Sequence, residues 1–95
     1  MTRLQFLLGK LAEEASEVAQ IALKAQQFGL YDKHPKRDGT NQERICQELD
    51  DLLAIVDLLN TECGLSFRKT SVATIRKVEK VDHYYKYSKD LGMVE

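Results

Sequence analysis

The chain reads as all-α, a helical bundle of three main helices. Apolar side chains recur at helical spacing in three stretches, helix-start and helix-stop residues bracket each stretch, and nowhere do apolar and polar residues alternate as in a strand. Residues 3 to 28 carry Leu4, Leu7, Leu8, Leu11, Ala15, Val18, Ala22 and Ala25 at that spacing, with Gly29 placed to stop the first helix. The stretch GLYDKHPKRDG between Gly29 and Thr40 holds the single proline and loses the period, so it reads as a loop. Thr40 and Glu43 form a capping box, in which hydroxyl and carboxylate each satisfy a backbone N–H left free at a helix start. The second helix runs from there to about Cys63 and ends at Gly64. After the connector LSFRK, Thr70 or Ser71 caps a third helix that reaches about Lys89, before Gly92.

Ninety-five residues make one domain, 1–95, and a domain this small buries a limited share of its surface. Completion of the bundle by self-association is therefore expected. Basic and acidic residues number 14 and 15, so no overall field draws the chain to nucleic acid or to an anionic membrane. Stable nucleic-acid binding and membrane attachment are not expected, and a polyanion has to be recognised locally. Cys46 and Cys63 lack a C-x-x-C spacing and no secretory leader or membrane-length apolar run is present, which predicts a reducing, cytoplasmic setting. Cys46 falls on the apolar side of the second helix and is expected in the core.

At about 100° per residue, the apolar side chains of the first helix centre on Leu4, Leu11, Val18 and Ala22. Glu14 lies roughly 70° from that centre, Glu17 one turn further along, and Glu13 points away. On the second helix the arc of Ile45, Leu49, Leu52, Leu53, Ile55, Val56 and Leu59 is broad enough to imply more than one neighbour. Glu48 falls inside it and Asp51 at its border, while Asp50 and Asp57 face the polar side. Each helix thus presents one i, i+3 carboxylate pair at the margin of its packing face. A single such pair is usually an ordinary solvated one. Four carboxylates converging near a core repel one another and resist desolvation, and a divalent cation removes that conflict. A set of oxygen donors with no histidine or thiol favours Mg²⁺, with Mn²⁺ as substitute, over zinc; the di-iron pattern needs Glu-x-x-His, a spacing that neither His34 nor His83 occupies.

The segments L-A-E-E-A-S-E-V and E-L-D-D-L-L resemble the E-E-x-x-E … E-x-x-D signature of the MazG-like, all-α nucleoside triphosphate pyrophosphatases. The likeness is close over the first two helices and looser over the third. It implies that Glu14, Glu17, Glu48 and Asp51 hold Mg²⁺ and form the catalytic set. It further implies hydrolysis of a ribo- or deoxynucleoside triphosphate to the monophosphate and pyrophosphate, by a homodimer or homotetramer with its active sites near subunit interfaces. The phosphoribosyl-ATP pyrophosphatases share the acid pattern, so the superfamily is better marked than the substrate.

On the third helix an apolar seam of Ile75, Val78, Val81 and Tyr85 runs beside a narrow sector holding Lys77, Lys80, Tyr84 and Tyr87. These four are the candidate substrate-binding residues, ammonium groups for phosphate oxygens and rings for a base or ribose; a solvated lysine face at a subunit contact accounts for them equally well. The loop residues Lys33, His34, Lys36 and Arg37 concentrate positive charge before the second helix, where charged loop tips more often serve solubility than a ligand. Phe28 and Tyr31 offer a stacking surface, Phe28 equally a packing one; Gln20 and Lys24 carry no assignment. The expected chemistry is metal-assisted hydrolysis of a phosphoanhydride, with Glu17, the most outward acid by this reading, as candidate base. The alternative is a non-catalytic helical interaction protein whose acid pairs hold structural cations.

Overall fold

Three threonines set the starts of the three helices. Thr2 and Thr40 each close a capping box; at the second, Thr40 Oγ1 accepts from the Glu43 amide at 3.2 Å while the Thr40 amide donates to Glu43 Oε1 at 3.2 Å. Thr70 accepts from the Ala73 amide at 3.1 Å. The computed structural model describes residues 1–95 as α1 (Arg3–Phe28), α2 (Asn41–Cys63) and α3 (Ser71–Asp90), with no named strand, so the all-α class stands. Gly64 ends α2 in the left-handed conformation at φ 68°, a backbone state that glycine adopts without a Cβ clash.

The loop between α1 and α2 is tied down at the start of α2. Asn41, 6% exposed, donates its side-chain amide to the Gly29 carbonyl at 2.8 Å and its backbone N–H to the Asp32 carbonyl at 2.9 Å. The Gln42 amide donates to the Leu30 carbonyl at 2.8 Å, and an isolated antiparallel bridge joins Lys33 to Thr40. A loop so held presents its basic residues from a defined backbone.

α1 and α2 pack along one another as an antiparallel pair with Leu7, Ile21 and Leu59 at its centre. Burying a leucine or isoleucine contributes about 1.5–3 kcal/mol, so three of them make a modest core. On α1 the covered or half-covered residues are Leu7, Lys10, Leu11, Glu14, Glu17, Val18, Ile21 and Ala25, whereas Leu4 and Ala22 are exposed. The buried face therefore lies one row from the expected centre, along Leu7, Glu14 and Ile21, which brings Glu14 from its edge to its middle. The cause is that a single neighbour covers α1, and the rest of its apolar surface stays open. α2 behaves alike: Ile45, Leu52, Ile55, Val56 and Leu59 turn inward, Leu49 and Leu53 outward. Cys46 is on this outward side and is exposed rather than core, while Cys63 is half-buried; both are free thiols.

α3 packs on neither helix. Its connector is fixed to α2 by Asn60, whose side chain accepts from the Phe67 amide at 2.8 Å and donates to the Phe67 carbonyl at 3.1 Å, and no residue of α3 is buried. The radius of gyration, 16.8 Å, exceeds the roughly 12 Å of a compact chain of this length. The accessible surface of 7867 Å² exceeds by roughly 2,300 Å² that of a compact monomer of the same mass. Within one chain the bundle is a helix pair with a third helix held away from it. No helix is long and apolar enough to cross a membrane.

Candidate metal centre

Facing helices bring Glu14 and Glu17 of α1 against Glu48 of α2. One carboxylate oxygen from each lies within 4.8 Å of the others, the geometry of groups able to share one cation. Glu48 is 6% exposed, and Glu14 and Glu17 are half-buried. The fourth expected acid, Asp51, is exposed and outside this group, yet its charge reaches both Glu14 and Glu48. Asp51, not Glu17, is therefore the most outward of the four. Glu13 and Asp50 face solvent as their wheel positions require, Glu13 pairing with Lys10 at 3.2 Å.

Two oxygens in this cluster are buried without a hydrogen-bond partner, Glu14 Oε2 and Glu48 Oε2. Burial pushes the Glu14 carboxyl above the usual glutamate range, and the charges of Glu17, Asp51 and Glu13 add to the rise. Glu48 is raised first by the adjoining Glu17 carboxyl, then by burial; Arg44 opposes the rise. Arg44 Nη2 donates to Glu48 Oε1 at 3.3 Å, while Arg44 Nε is buried with no acceptor. One cation offsets one of three converging acids. The orphaned oxygens and the all-carboxylate donor set fit a hard divalent cation.

These shifts fix the sign of a pH effect. A folded-state pKa raised above the unfolded value means that the native chain binds protons the unfolded chain has already released. The contribution to stability is complete below the ordinary glutamate pKa and is lost as pH climbs through the raised folded values. With chelator present, the melting temperature should fall as pH rises through this window, and added Mg²⁺ should reverse the fall most strongly at its upper end. Melting curves across pH with and without Mg²⁺ test this; a chelated protein that gains stability over the same interval contradicts it.

Beside the acids, two adjoining cavities open between α1, α2 and the loop. The smaller, about 210 Å³, is walled by Glu17 and Glu48 together with Gln20, Ile21, Lys24, Arg37 and Arg44. The larger, about 390 Å³, shares Ile21, Lys24, Arg37 and Arg44 with it and continues past Phe28, His34, Pro35 and Asn41. Lys24 and Arg44 carry no signal in the sequence, because the loop's return onto the end of α1 has no periodicity to reveal it. Lys77, Lys80, Tyr84 and Tyr87 are on α3 and exposed, and one chain does not bring them to the acids. Comparison with family models, curated proteins and solved structures finds no match.

Proposed function

We propose that this chain is a Mg²⁺-dependent nucleoside triphosphate pyrophosphohydrolase acting in the cytoplasm. The observation that carries the proposal is the convergence of Glu14, Glu17 and Glu48 within 4.8 Å, with two buried carboxylate oxygens left without partners. The resemblance of the two acid segments to the MazG-like pyrophosphatases supplies the reaction class. Glu14 and Glu48 are assigned as ligands, because they hold the orphaned oxygens; Glu17 and Asp51 complete the set. A divalent ion bound there supplies neutralisation of phosphate charge and acidification of a water. Glu17 stands against Glu48 and walls the smaller cavity, so it is positioned to take a proton from a water entering from that side. Arg44 holds the Glu48 carboxylate in orientation from the preceding turn of α2.

The working unit is a homodimer or homotetramer in this reading. The apolar seam of α3 and the bare outer rows of α1 and α2 cover one another between copies, which carries Lys77, Lys80, Tyr84 and Tyr87 toward a neighbouring subunit's acids.

The decisive experiment is pyrophosphate release from a panel of ordinary and modified ribo- and deoxynucleoside triphosphates, in Mg²⁺ and in chelator. Release that is confined to Mg²⁺ supports the proposal. The exposed α3 also suits a non-catalytic interaction protein with structural cation sites. Silence across the panel, together with Mg²⁺ stabilisation that nucleotide analogues leave unchanged, selects that reading instead.

A further inference from the structure

The two cavities beside the acids share one wall, and its composition is unusual for a chain of balanced charge. Of its four side chains, three are cations, Lys24, Arg37 and Arg44, and the fourth is Ile21. Lys24 and Arg37 form no ion pair. Arg44 spends one nitrogen on Glu48 and keeps Nε buried without an acceptor. Unpaired cations lining a concave surface attract an anion, and guanidinium groups bind phosphate oxygens through a planar fork of N–H donors. The backbone carrying Arg37 is fixed, since its amide donates to the His34 carbonyl at 3.1 Å and the Lys36 amide donates to His34 Nδ1 at 3.0 Å.

The order along the cleft is the informative feature. Glu17 and Glu48 wall only the smaller chamber, Phe28 and Asp32 only the larger, and the three cations stand in both. A nucleoside triphosphate has the same order: a phosphate end that takes a divalent ion, a run of anionic oxygens, then a flat aromatic head with hydrogen-bonding edges. The larger chamber, about 390 Å³, is of the size that holds a small organic ligand. We infer that Lys24, Arg37 and Arg44 form a polyphosphate-binding bridge within one chain, leading from the acid cluster to a nucleoside chamber in which Phe28 stacks on the base.

This assignment rests on the hydrolase reading for its orientation, but the anion site can be tested without turnover. The probes are inorganic tripolyphosphate and a deoxynucleoside triphosphate with a non-hydrolysable α,β-methylene bridge, titrated calorimetrically into the 95-residue chain in chelator and in Mg²⁺. Circular dichroism confirms that the variants fold. The double substitution K24A/R37A should weaken both probes at least about tenfold, because each lost cation removes a charge-assisted hydrogen bond. Phe28→Ala should weaken the nucleotide analogue and spare tripolyphosphate. Equal binding of both probes by wild type and K24A/R37A overturns the inference, as does failure of wild type to bind either one.

The two proposals separate cleanly. Mg²⁺-dependent pyrophosphate release with an unchanged KM in K24A/R37A removes the bridge and leaves the hydrolase. Tripolyphosphate binding that K24A/R37A abolishes, in a wild-type chain that releases no pyrophosphate, keeps the bridge and removes the hydrolase.

Discussion

Replacing Glu14 by glutamine is expected to move activity and metal-free stability in opposite directions. The substitution keeps the side chain's shape and removes its charge. Mg²⁺-dependent pyrophosphate release should fall at least about 100-fold, the scale on which removal of a group supporting a metal site or a charge-stabilising donor acts. In chelator the same variant should melt higher than wild type, since burial and the charges of Glu17, Asp51 and Glu13 all disfavour the ionised Glu14. Glu14 pairs with no cation, which makes it a cleaner test than Glu48, whose loss strands Arg44. Glu48→Gln should match it in activity with a smaller gain in stability. Normal Mg²⁺-dependent release by Glu14→Gln, measured beside a chelator control, would end the case for this centre.

A structural explanation of the four acids as surface charges predicts neither change. Removing an ordinary solvated glutamate leaves activity alone and shifts stability little, because exposed charge contacts contribute about 0–1 kcal/mol. The paired measurement therefore discriminates even where the natural substrate remains to be found: a gain in metal-free stability, abolished by Mg²⁺, reports the strained cluster directly.

The helices were legible in the sequence because capping and stopping residues act locally. Thr40 with Glu43, Gly64 and Thr70 each decide a boundary through bonds to groups within a few positions. Glu48 was legible too, since a glutamate amid Ile45, Leu52 and Ile55 has few ways to avoid the core. Glu14 is at the edge of the packing face on the wheel and at its middle in the structure, for a reason that no wheel contains. Its centre weighs all apolar residues alike, whereas burial depends on how many neighbours arrive, and only α2 does. Cys46 is exposed rather than core for the same reason. The cleft was not legible: Lys24, Arg37 and Arg44 lie on a helix end, a loop and the next helix, and meet only because Asn41 folds the loop back through Gly29 and Asp32.

Val78→Asp is expected to break the proposed homo-oligomer. Ile75, Val78, Val81 and Tyr85 are each about half exposed in one chain, although they line a single stripe of α3. The excess surface of roughly 2,300 Å² per chain is of the order that obligate homodimers bury. A carboxylate placed in that contact loses its water without gaining a partner; a cost of about 3 kcal/mol weakens association about 100-fold. Sedimentation at micromolar concentration should then show monomers, where the proposal expects wild type to be a dimer or tetramer. Arg76→Gln, on the opposite face of α3, should leave the mass unchanged. If a neighbouring copy brings Lys77, Lys80, Tyr84 and Tyr87 to the acids, hydrolysis by Val78→Asp recovers as protein concentration rises, because mass action restores the contact. Wild type that sediments as a monomer, or activity per chain that stays constant across dilution, would locate the whole site within the α1–α2 pair and its loop.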